Sequence, residues 1–196
     1  MTYAIIIIIS MGLIVAFNYL LPITVVRYTV LELCLWTVVS TVSVIIIDGI
    51  FATIVRRALP MKWFSAYKQG FCAKKNERKF YETIGIKKWK DKVLELGVFT
   101  SFRKNKILDP HSLEYVERYV VEANYGIICH LAGIIFGIGA VFCCPKQLWL
   151  TVGVPVVFVN TVLSALPIFI LRYNLVKLHV LRRLNKKREE QKKNEK

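Results

Sequence analysis

The sequence lacks the motifs that identify several large enzyme classes. It contains no H-E-x-x-H, no G-x-S-x-G, no P-loop and no dinucleotide-binding fingerprint. Its three histidines, His111, His130 and His179, do not have the spacing of metal ligands, so no metal site is predicted. Hydrolases with a serine elbow, ATPases and zinc enzymes are therefore poor candidates.

Acidic residues and pairable cysteines are also scarce. Asp and Glu together number 13 against 28 Lys and Arg, which gives a net charge of +15. The cysteines are odd in number and form no C-x-x-C, so we expect small, buried, reduced thiols and not a secreted disulfide scaffold. The five are Cys34, Cys72, Cys129, Cys143 and Cys144.

Apolar residues make up 55% of the chain and concentrate in four runs, a pattern that excludes a soluble globule of this charge. Each run is long enough to cross a bilayer, which takes roughly 20 residues. The first lacks the basic n-region and cleavage site of a signal peptide, so we expect it to stay in the mature protein. The predicted fold class is all-α, a polytopic membrane protein with four transmembrane helices in two hairpins. The runs are residues 1–21, 30–55, 121–144 and 147–171.

The basic residues lie on one side of these runs. Residues 56–118 hold 16 basic and 7 acidic residues, and residues 172–196 hold 10 and 3, whereas the two opposite turns contain only Arg27 and Lys146. The positive-inside rule then predicts a multi-pass protein of the cell membrane with both termini and the middle loop in the cytoplasm. The predicted segments are a first transmembrane hairpin, a cytoplasmic interfacial loop, a second transmembrane hairpin and a basic tail. In order, they are residues 1–55, 56–118, 119–171 and 172–196.

The middle loop combines its charge with many aromatic and aliphatic residues, so we predict short amphipathic helices in the headgroup layer. Its charge should attract anionic membrane lipids, at about 1 kcal/mol per Lys or Arg near the surface. Nucleic acid is the alternative partner, but the chain has no recognition motif, so none is expected. Asp109 or Ser112 would cap a helix that leads into the third span. The apolar loop residues are Trp63, Phe64, Tyr67, Phe71, Phe80, Tyr81, Ile84, Ile86, Trp89, Val93, Leu94, Leu96 and Phe99.

Three ionisable side chains, Asp48, Glu122 and His130, lie inside the apolar runs, where each costs roughly 2.5 to 3.5 kcal/mol to insert. Glu122, Gly126 and His130 are spaced i, i+4, i+8 and share one helix face. A carboxylate near an imidazole suits acyl transfer to a hydroxyl, because histidine can remove the hydroxyl proton while the acid supports the imidazole. Two turns separate Glu122 from His130, so Asp48 of a neighbouring helix could be the direct partner.

Each of these residues also has a structural interpretation. His130 could simply hydrogen-bond to Asn160 and hold the bundle together. Asp48 could pair with Arg56 or Arg57 at the membrane edge. Counted from Arg118, His130 would lie roughly 18 Å deep at 1.5 Å per residue.

Two further clusters carry positive charge at the predicted membrane surface. Residues 81–92 place four lysines around Trp89, which suits a phosphate or CoA-like polyanion and equally suits a membrane anchor. Arg172, Tyr173 and Asn174 follow the fourth run, where an arginine can snorkel while offering a planar set of donors.

Three blocks of the chain resemble the glycosyl-4,4'-diaponeurosporenoate acyltransferase family. Residues 81–97 read YETIGIKKWKDKVLELG, close to the family's block around WKDKLP. Glu122 stands eight residues before His130, and Asn160 precedes Pro167 and the R-Y-N of residues 172–174, as in the family. Among the departures, the family's KLP is Lys92-Val93-Leu94 in this chain, and its other acidic and basic positions before the histidine are Ile127 and Tyr125.

The resemblance implies transfer of a fatty acyl group onto a sugar hydroxyl of a lipid-linked glycoside, either a glycosyl carotenoid or another glycolipid. The donor would be acyl-CoA or acyl carrier protein as a co-substrate, with no bound cofactor. His130 would be the base, with Glu122 or Asp48 supporting it. The predicted substrate-binding residues are Trp89, Lys90, Asp91, Lys92, Asn160, Arg172, Tyr173 and Asn174.

The alternative is a non-catalytic membrane scaffold or subunit that binds anionic lipid or a partner enzyme. Catalysis predicts that Glu122, His130, Asn160 and Arg172 converge on one cavity, whereas a scaffold allows them to point apart. The sequence leaves the oligomeric state open.

Overall fold

The computed structural model describes residues 2–21, 23–24, 26–65, 75–93 and 107–194, and within these ranges it is helical with no strand. Four helical segments are long and apolar enough to cross a membrane, at Tyr3–Leu20, Val30–Ala58, Leu113–Cys143 and Lys146–Asn194. These segments confirm the predicted fold class. The α-helices are α1 (Thr2–Leu20), α2 (Val30–Ala58), α3 (Lys75–Thr83), α4 (Ile86–Trp89), α5 (Leu113–Gly137) and α6 (Val154–Asn194).

The chain folds into two compact units whose borders fall inside α2, α5 and α6. We call Met1–Val55 with Cys129–Leu166 the apolar unit, and Arg56–Ile128 with Pro167–Lys196 the basic unit. All basic residues except Arg27 and Lys146 belong to the basic unit. The bounds of the four segments predicted from the sequence are membrane borders. The division into two compact units does not test them, so they stay a prediction.

In the apolar unit, α1 bonds to two backbone carbonyls of the fourth span, each of which lies four residues before a proline. Pro155 and Pro167 have no N–H to donate to the carbonyls four residues earlier, those of Thr151 and Leu163. Polar side chains of α1 take their place: Asn18 donates to Thr151 O at 2.8 Å, and the Tyr3 hydroxyl donates to Leu163 O at 3.0 Å. The short π-helix Trp149–Gly153 precedes α6. Two polar residues of an almost wholly apolar helix thus satisfy backbone groups that lipid could not.

Local hydrogen bonds fix the start of α2 and explain the charged residue Glu32 there. Glu32 accepts from the Thr29 backbone N–H at 2.8 Å, and the Thr29 hydroxyl accepts from the Glu32 N–H at 3.3 Å, which forms a capping box at the start of α2. The predicted turn at Cys144-Pro145-Lys146 separates the 3₁₀ segments Ile138–Cys143 and Lys146–Leu148. The described cysteines are free thiols, as expected. Cys144 is buried, but Cys129 and Cys143 are half-buried and Cys34 is exposed on α2, so the expectation of a buried thiol is confirmed at Cys144 and wrong at Cys34. Cys72 lies outside the described residues.

The basic unit packs the start of α5 against α6. Ser112 caps α5 by accepting from the Tyr115 N–H at 3.1 Å, and Asp109 accepts from Ser112 N–H at 3.2 Å, so both predicted capping residues are engaged. The buried cluster repeats at helical spacing along α5. It comprises Val116, Tyr119, Val120, Ala123 and Ile127 of α5 with Leu175 and Leu178 of α6. The pair Arg182–Glu117, 2.9 Å apart, continues this contact beyond the cluster.

The middle loop contains short helices, as predicted, but several of its apolar residues pack into the protein. Phe64, Tyr81, Ile86 and Val93 are buried. Gly85 joins α3 to α4 with φ of 68°, a conformation that favours glycine. Trp63, Phe80 and Ile84 remain exposed and available to a headgroup layer. Tyr67, Phe71, Leu94, Leu96 and Phe99 lie outside the described residues.

Candidate active site

Asp48 lies in the apolar unit with an amide as its partner. Asn160 Nδ2 of α6 donates to Asp48 Oδ1 of α2 at 3.4 Å. Within the described residues, Asp48 forms no ion pair with Arg56 or Arg57, and His130 forms no hydrogen bond with Asn160. Arg56 instead pairs with Glu122.

The Asp48 carboxylate lies directly against the backbone of α5. A Cβ added to Gly133 would stand 2.8 Å from Asp48 Oδ1, and one added to Gly137 would stand 3.1 Å from Asn160 Nδ2. Glycine at these two positions is what permits the approach, since any side chain would displace the polar pair. The Asp48–Asn160 pair therefore packs against the face of α5 that carries Gly133 and Gly137.

His130 lies on this same face of α5. It precedes Gly133 by three residues and Gly137 by seven, and residues at these spacings lie above one another on a helix. The carboxylate of Asp48 thus contacts α5 about one turn, or roughly 4.5 Å along the axis, from His130. His130 is half-buried and makes no hydrogen bond within the described ranges. The i, i+3 spacing of His130 and Gly133 is a signal in the sequence that places this contact near His130.

Glu122 shares α5 with His130 but belongs to the basic unit. Its carboxylate accepts from Arg56 Nη2 at 2.8 Å, and the Arg56 guanidinium also lies 5.7 Å from the centroid of the Tyr125 ring. Glu122 is thereby held in an ion pair, which leaves Asp48 as the better placed of the two candidate acids.

The first half of α5 donates two hydrogen bonds to the segment that follows α2. Asn124 Nδ2 donates to Phe64 O at 3.0 Å, and the Tyr125 hydroxyl donates to Leu59 O at 2.7 Å. Tyr125 precedes His130 by five residues, about 7.5 Å of helix. The depth of His130 in a membrane stays a prediction.

Arg172 is fixed by a bidentate ion pair and does not snorkel freely. Its Nη2 lies 2.6 Å from both Glu77 carboxylate oxygens, and its Nε donates to Oε2 at 3.1 Å. Tyr81 joins the same cluster: burial and the Glu77 carboxylate raise the pKa of Tyr81, and Arg172 opposes the rise. The cluster attaches α3 to α6, so Arg172 has a structural partner in Glu77, and its role in substrate binding stays a prediction. No helical spacing in the sequence links Glu77 to Arg172.

We expect Glu77→Gln to lower the free energy of unfolding by about 1 to 3 kcal/mol, because it leaves a partly buried guanidinium without its bidentate acceptor. The side chains of Arg172 and Glu77 are only 19% and 28% exposed. Glu82→Gln is the matched control on α3. Its exposed pairs with Arg78 and Lys87 lower the pKa of Glu82 but should matter little to stability. Chemical unfolding in detergent micelles measures both, and equal effects would contradict the structural role of Arg172.

The predicted substrate-binding residues around Trp89 differ in burial and in hydrogen bonding. Trp89 donates from Nε1 to Ile84 O at 3.1 Å, which orients the indole toward its own turn. Asp91 and Lys92 are exposed. The rest of the family-like block, residues 94–97, lies outside the described residues.

Lys90, Tyr173 and Asn174 line one cavity of the basic unit, with a volume of about 620 Å³. The cavity also includes Arg78, Tyr119 and Lys177, which are not among the predicted site residues. Lys177 could have been found, since it follows Asn174 by three residues on a continuous helix. Arg78 has no such signal.

The predicted site residues thus divide between the two units, and the convergence of Glu122, His130, Asn160 and Arg172 on one cavity stays a prediction. His130, Asp48 and Asn160 belong to the apolar unit, whereas Glu122 and Arg172 belong to the basic unit. Glu122 and Arg172 are held in ion pairs of their own. Asp48 with Asn160 and the cavity beside Lys90 are the two arrangements in which predicted residues come together.

Comparison with known proteins gives one match. The model of a family described as glycosyl-4,4'-diaponeurosporenoate acyltransferase matches residues 60–184, which is more than half of the chain. No curated protein matches. No solved structure matches either.

Proposed function

The chain belongs to the glycosyl-4,4'-diaponeurosporenoate acyltransferase family, and from that premise we propose that it moves a fatty acyl group onto a sugar hydroxyl of a lipid-linked glycoside. The acceptor is a glycosyl carotenoid or another glycolipid, and the donor is acyl-CoA or acyl carrier protein. The observation that carries the proposal is the Asp48 carboxylate lying against α5 at Gly133, one turn from His130.

In the proposed step, the sugar hydroxyl oxygen attacks the thioester carbonyl carbon of the donor. His130 accepts the hydroxyl proton as the new C–O bond forms, which is the role of a general base. The C–S bond then breaks, and the imidazolium returns its proton to the departing thiolate. The reaction yields an ester and a free thiol, and it needs no oxidant or reductant.

Asp48 supports His130 in this proposal. An imidazolium formed in an apolar environment is stabilised by a nearby carboxylate far more than it would be in water. Asn160 holds that carboxylate through its amide. Glu122 is assigned to the structure of the basic unit because Arg56 already neutralises it.

We place the protein in the cell membrane with its basic unit in the cytoplasm, where acyl-CoA and acyl carrier protein are found. Cysteines introduced at exposed positions 88 and 187 should react with a membrane-impermeant maleimide only after the membrane is opened. A cysteine at exposed Arg27 should react in intact cells. The reverse labelling pattern would contradict the orientation.

The function itself is tested by comparing lipid extracts of cells with and without the protein by mass spectrometry. The proposal expects a glycolipid that gains the mass of one fatty acyl group only when the protein is present. Identical extracts, with the protein folded and in the membrane, would favour the scaffold interpretation.

A further inference from the structure

The cavity of the basic unit has the charge and the walls of an anion-binding site. Arg78, Lys90 and Lys177 all line it, and no acidic side chain of the described ranges does. Its volume of about 620 Å³ lies within the range of roughly 300 to 1,000 Å³ that is typical of small-molecule sites. A concave surface with charges of one sign attracts a ligand of the opposite sign.

The three cations differ in how far they are already neutralised. Arg78 forms an ion pair with Glu82 at 3.2 Å on the surface of α3. Lys90 and Lys177 make no ion pair with the acidic residues of the described ranges. Two ammonium groups that share a cavity with no acid among its described lining residues are the groups that an incoming anion would neutralise.

The remaining walls suit an ester better than a free inorganic ion. Asn174 supplies an amide, and Tyr119 and Tyr173 supply aromatic surface. The apolar residues on the other walls offer no partner to a bare ion but can cover the organic part of an ester. They are Ile107, Pro110, Val176, Leu178 and Leu181.

The fold fixes these groups from several directions. α6 contributes Asn174, Lys177 and Leu181, which stand at i, i+3 and i+7 on one helix face. Lys90 follows directly after α4, and the short α3–α4 segment is attached to α6 by the Glu77–Arg172 pair. The Glu77–Arg172 ion pair therefore also stabilises the walls of the cavity.

We propose that this cavity binds a phosphate ester, with Lys90 and Lys177 as its two principal ligands. The inference rests on the proposed function in taking the phosphorylated end of the acyl donor as the ester. A phospholipid headgroup offers the same chemistry, so the test distinguishes the two sources.

The test uses the full chain in detergent and four single variants. Lys90→Gln and Lys177→Gln each remove one cavity charge, whereas Lys88→Gln and Lys187→Gln remove one exposed charge nearby and leave the cavity untouched. Coenzyme A and phosphate-free pantetheine are titrated by calorimetry, and bound phosphatidylglycerol is counted by native mass spectrometry. Circular dichroism checks that all variants fold.

We expect coenzyme A to bind and pantetheine not to bind. Lys90→Gln and Lys177→Gln should each weaken coenzyme A binding about tenfold, the usual effect of losing one charge-assisted hydrogen bond, with the controls near wild type. If instead only phosphatidylglycerol retention falls in the two cavity variants, the phosphate ester is a lipid headgroup. If the cavity variants match their controls with both probes, the inference is wrong.

The same variants separate this inference from the proposed function. Acyl transfer by the wild type, with no difference between cavity variants and controls in coenzyme A binding or phosphatidylglycerol retention, would overturn the cavity assignment alone. Selective coenzyme A binding without acylation of any glycoside would overturn the proposed acceptor chemistry and leave the cavity assignment standing.

Discussion

Replacing His130 with Gln is expected to lower the rate of acyl transfer by about 10²- to 10⁴-fold, the usual effect of removing a general base. Glutamine keeps a polar group of similar size on the Gly133 face of α5, but it cannot accept and return a proton. Folding should survive, because His130 makes no hydrogen bond within the described ranges. The measurement is single-turnover acyl transfer by purified protein in micelles, with thermal unfolding followed in parallel.

Two controls separate catalysis from packing. His111→Gln removes a histidine of the basic unit that contacts Arg188 on the surface, and it should leave turnover unchanged. Asn160→Ala removes one interhelical hydrogen bond, typically about 0.6 kcal/mol, and should be much milder than His130→Gln. Wild-type turnover in His130→Gln, or a loss that only follows a fall in thermal stability, would show that His130 is structural.

Replacing Asp48 with Asn is expected to lower turnover by about 10- to 10²-fold, because a carboxylate charge a few ångströms from the imidazolium stabilises it by roughly 1.4 to 2.7 kcal/mol. Asparagine has the same shape and can still bond to Asn160, so packing is preserved while the negative charge near His130 is lost. Glu122→Gln is the comparison, because it removes the other candidate acid. It should cost little turnover, since Glu122 is already paired with Arg56.

A glycine substitution tests the position of Asp48 without changing its chemistry. Gly133→Ala would bring a methyl group to 2.8 Å from Asp48 Oδ1, so the carboxylate must turn away from α5 and turnover should fall. Gly139→Ala adds the same methyl group into open space and should be neutral.

For the pair of acid variants, a larger effect of Glu122→Gln than of Asp48→Asn would reverse our assignment of the acid.

The membrane fold could be predicted from the sequence because it depends on long-range composition. Four apolar runs bounded by charge require helices, since lipid cannot satisfy exposed backbone groups. The cap at Ser112 and the turn at Pro145 could be predicted for a different reason, because each depends on a few adjacent residues. The exposed thiol of Cys34 was not, because burial depends on which face of α2 meets protein.

The site was only partly predictable because its contacts depend on how helices are rotated against one another. Helical spacing placed Glu122 and His130 on one face but gave no preference for Arg56 as the partner of Glu122. It also gave no sign that Asn160 would meet Asp48. Arg172 illustrates the limit most clearly: its motif suggested a substrate ligand, and its Glu77 partner lies 95 residues away in the chain.

The most direct measurement of the central claim is acyl transfer by the purified protein reconstituted in lipid bilayers. The protein is supplied with an isotope-labelled acyl-CoA and glycolipid acceptors, and the released thiol and the labelled glycolipid are quantified together. Our account predicts one labelled acyl ester on the sugar for each thiol released, with both signals nearly abolished in His130→Gln. Thiol release without an acylated sugar, or equal product from the wild type and His130→Gln, would contradict it.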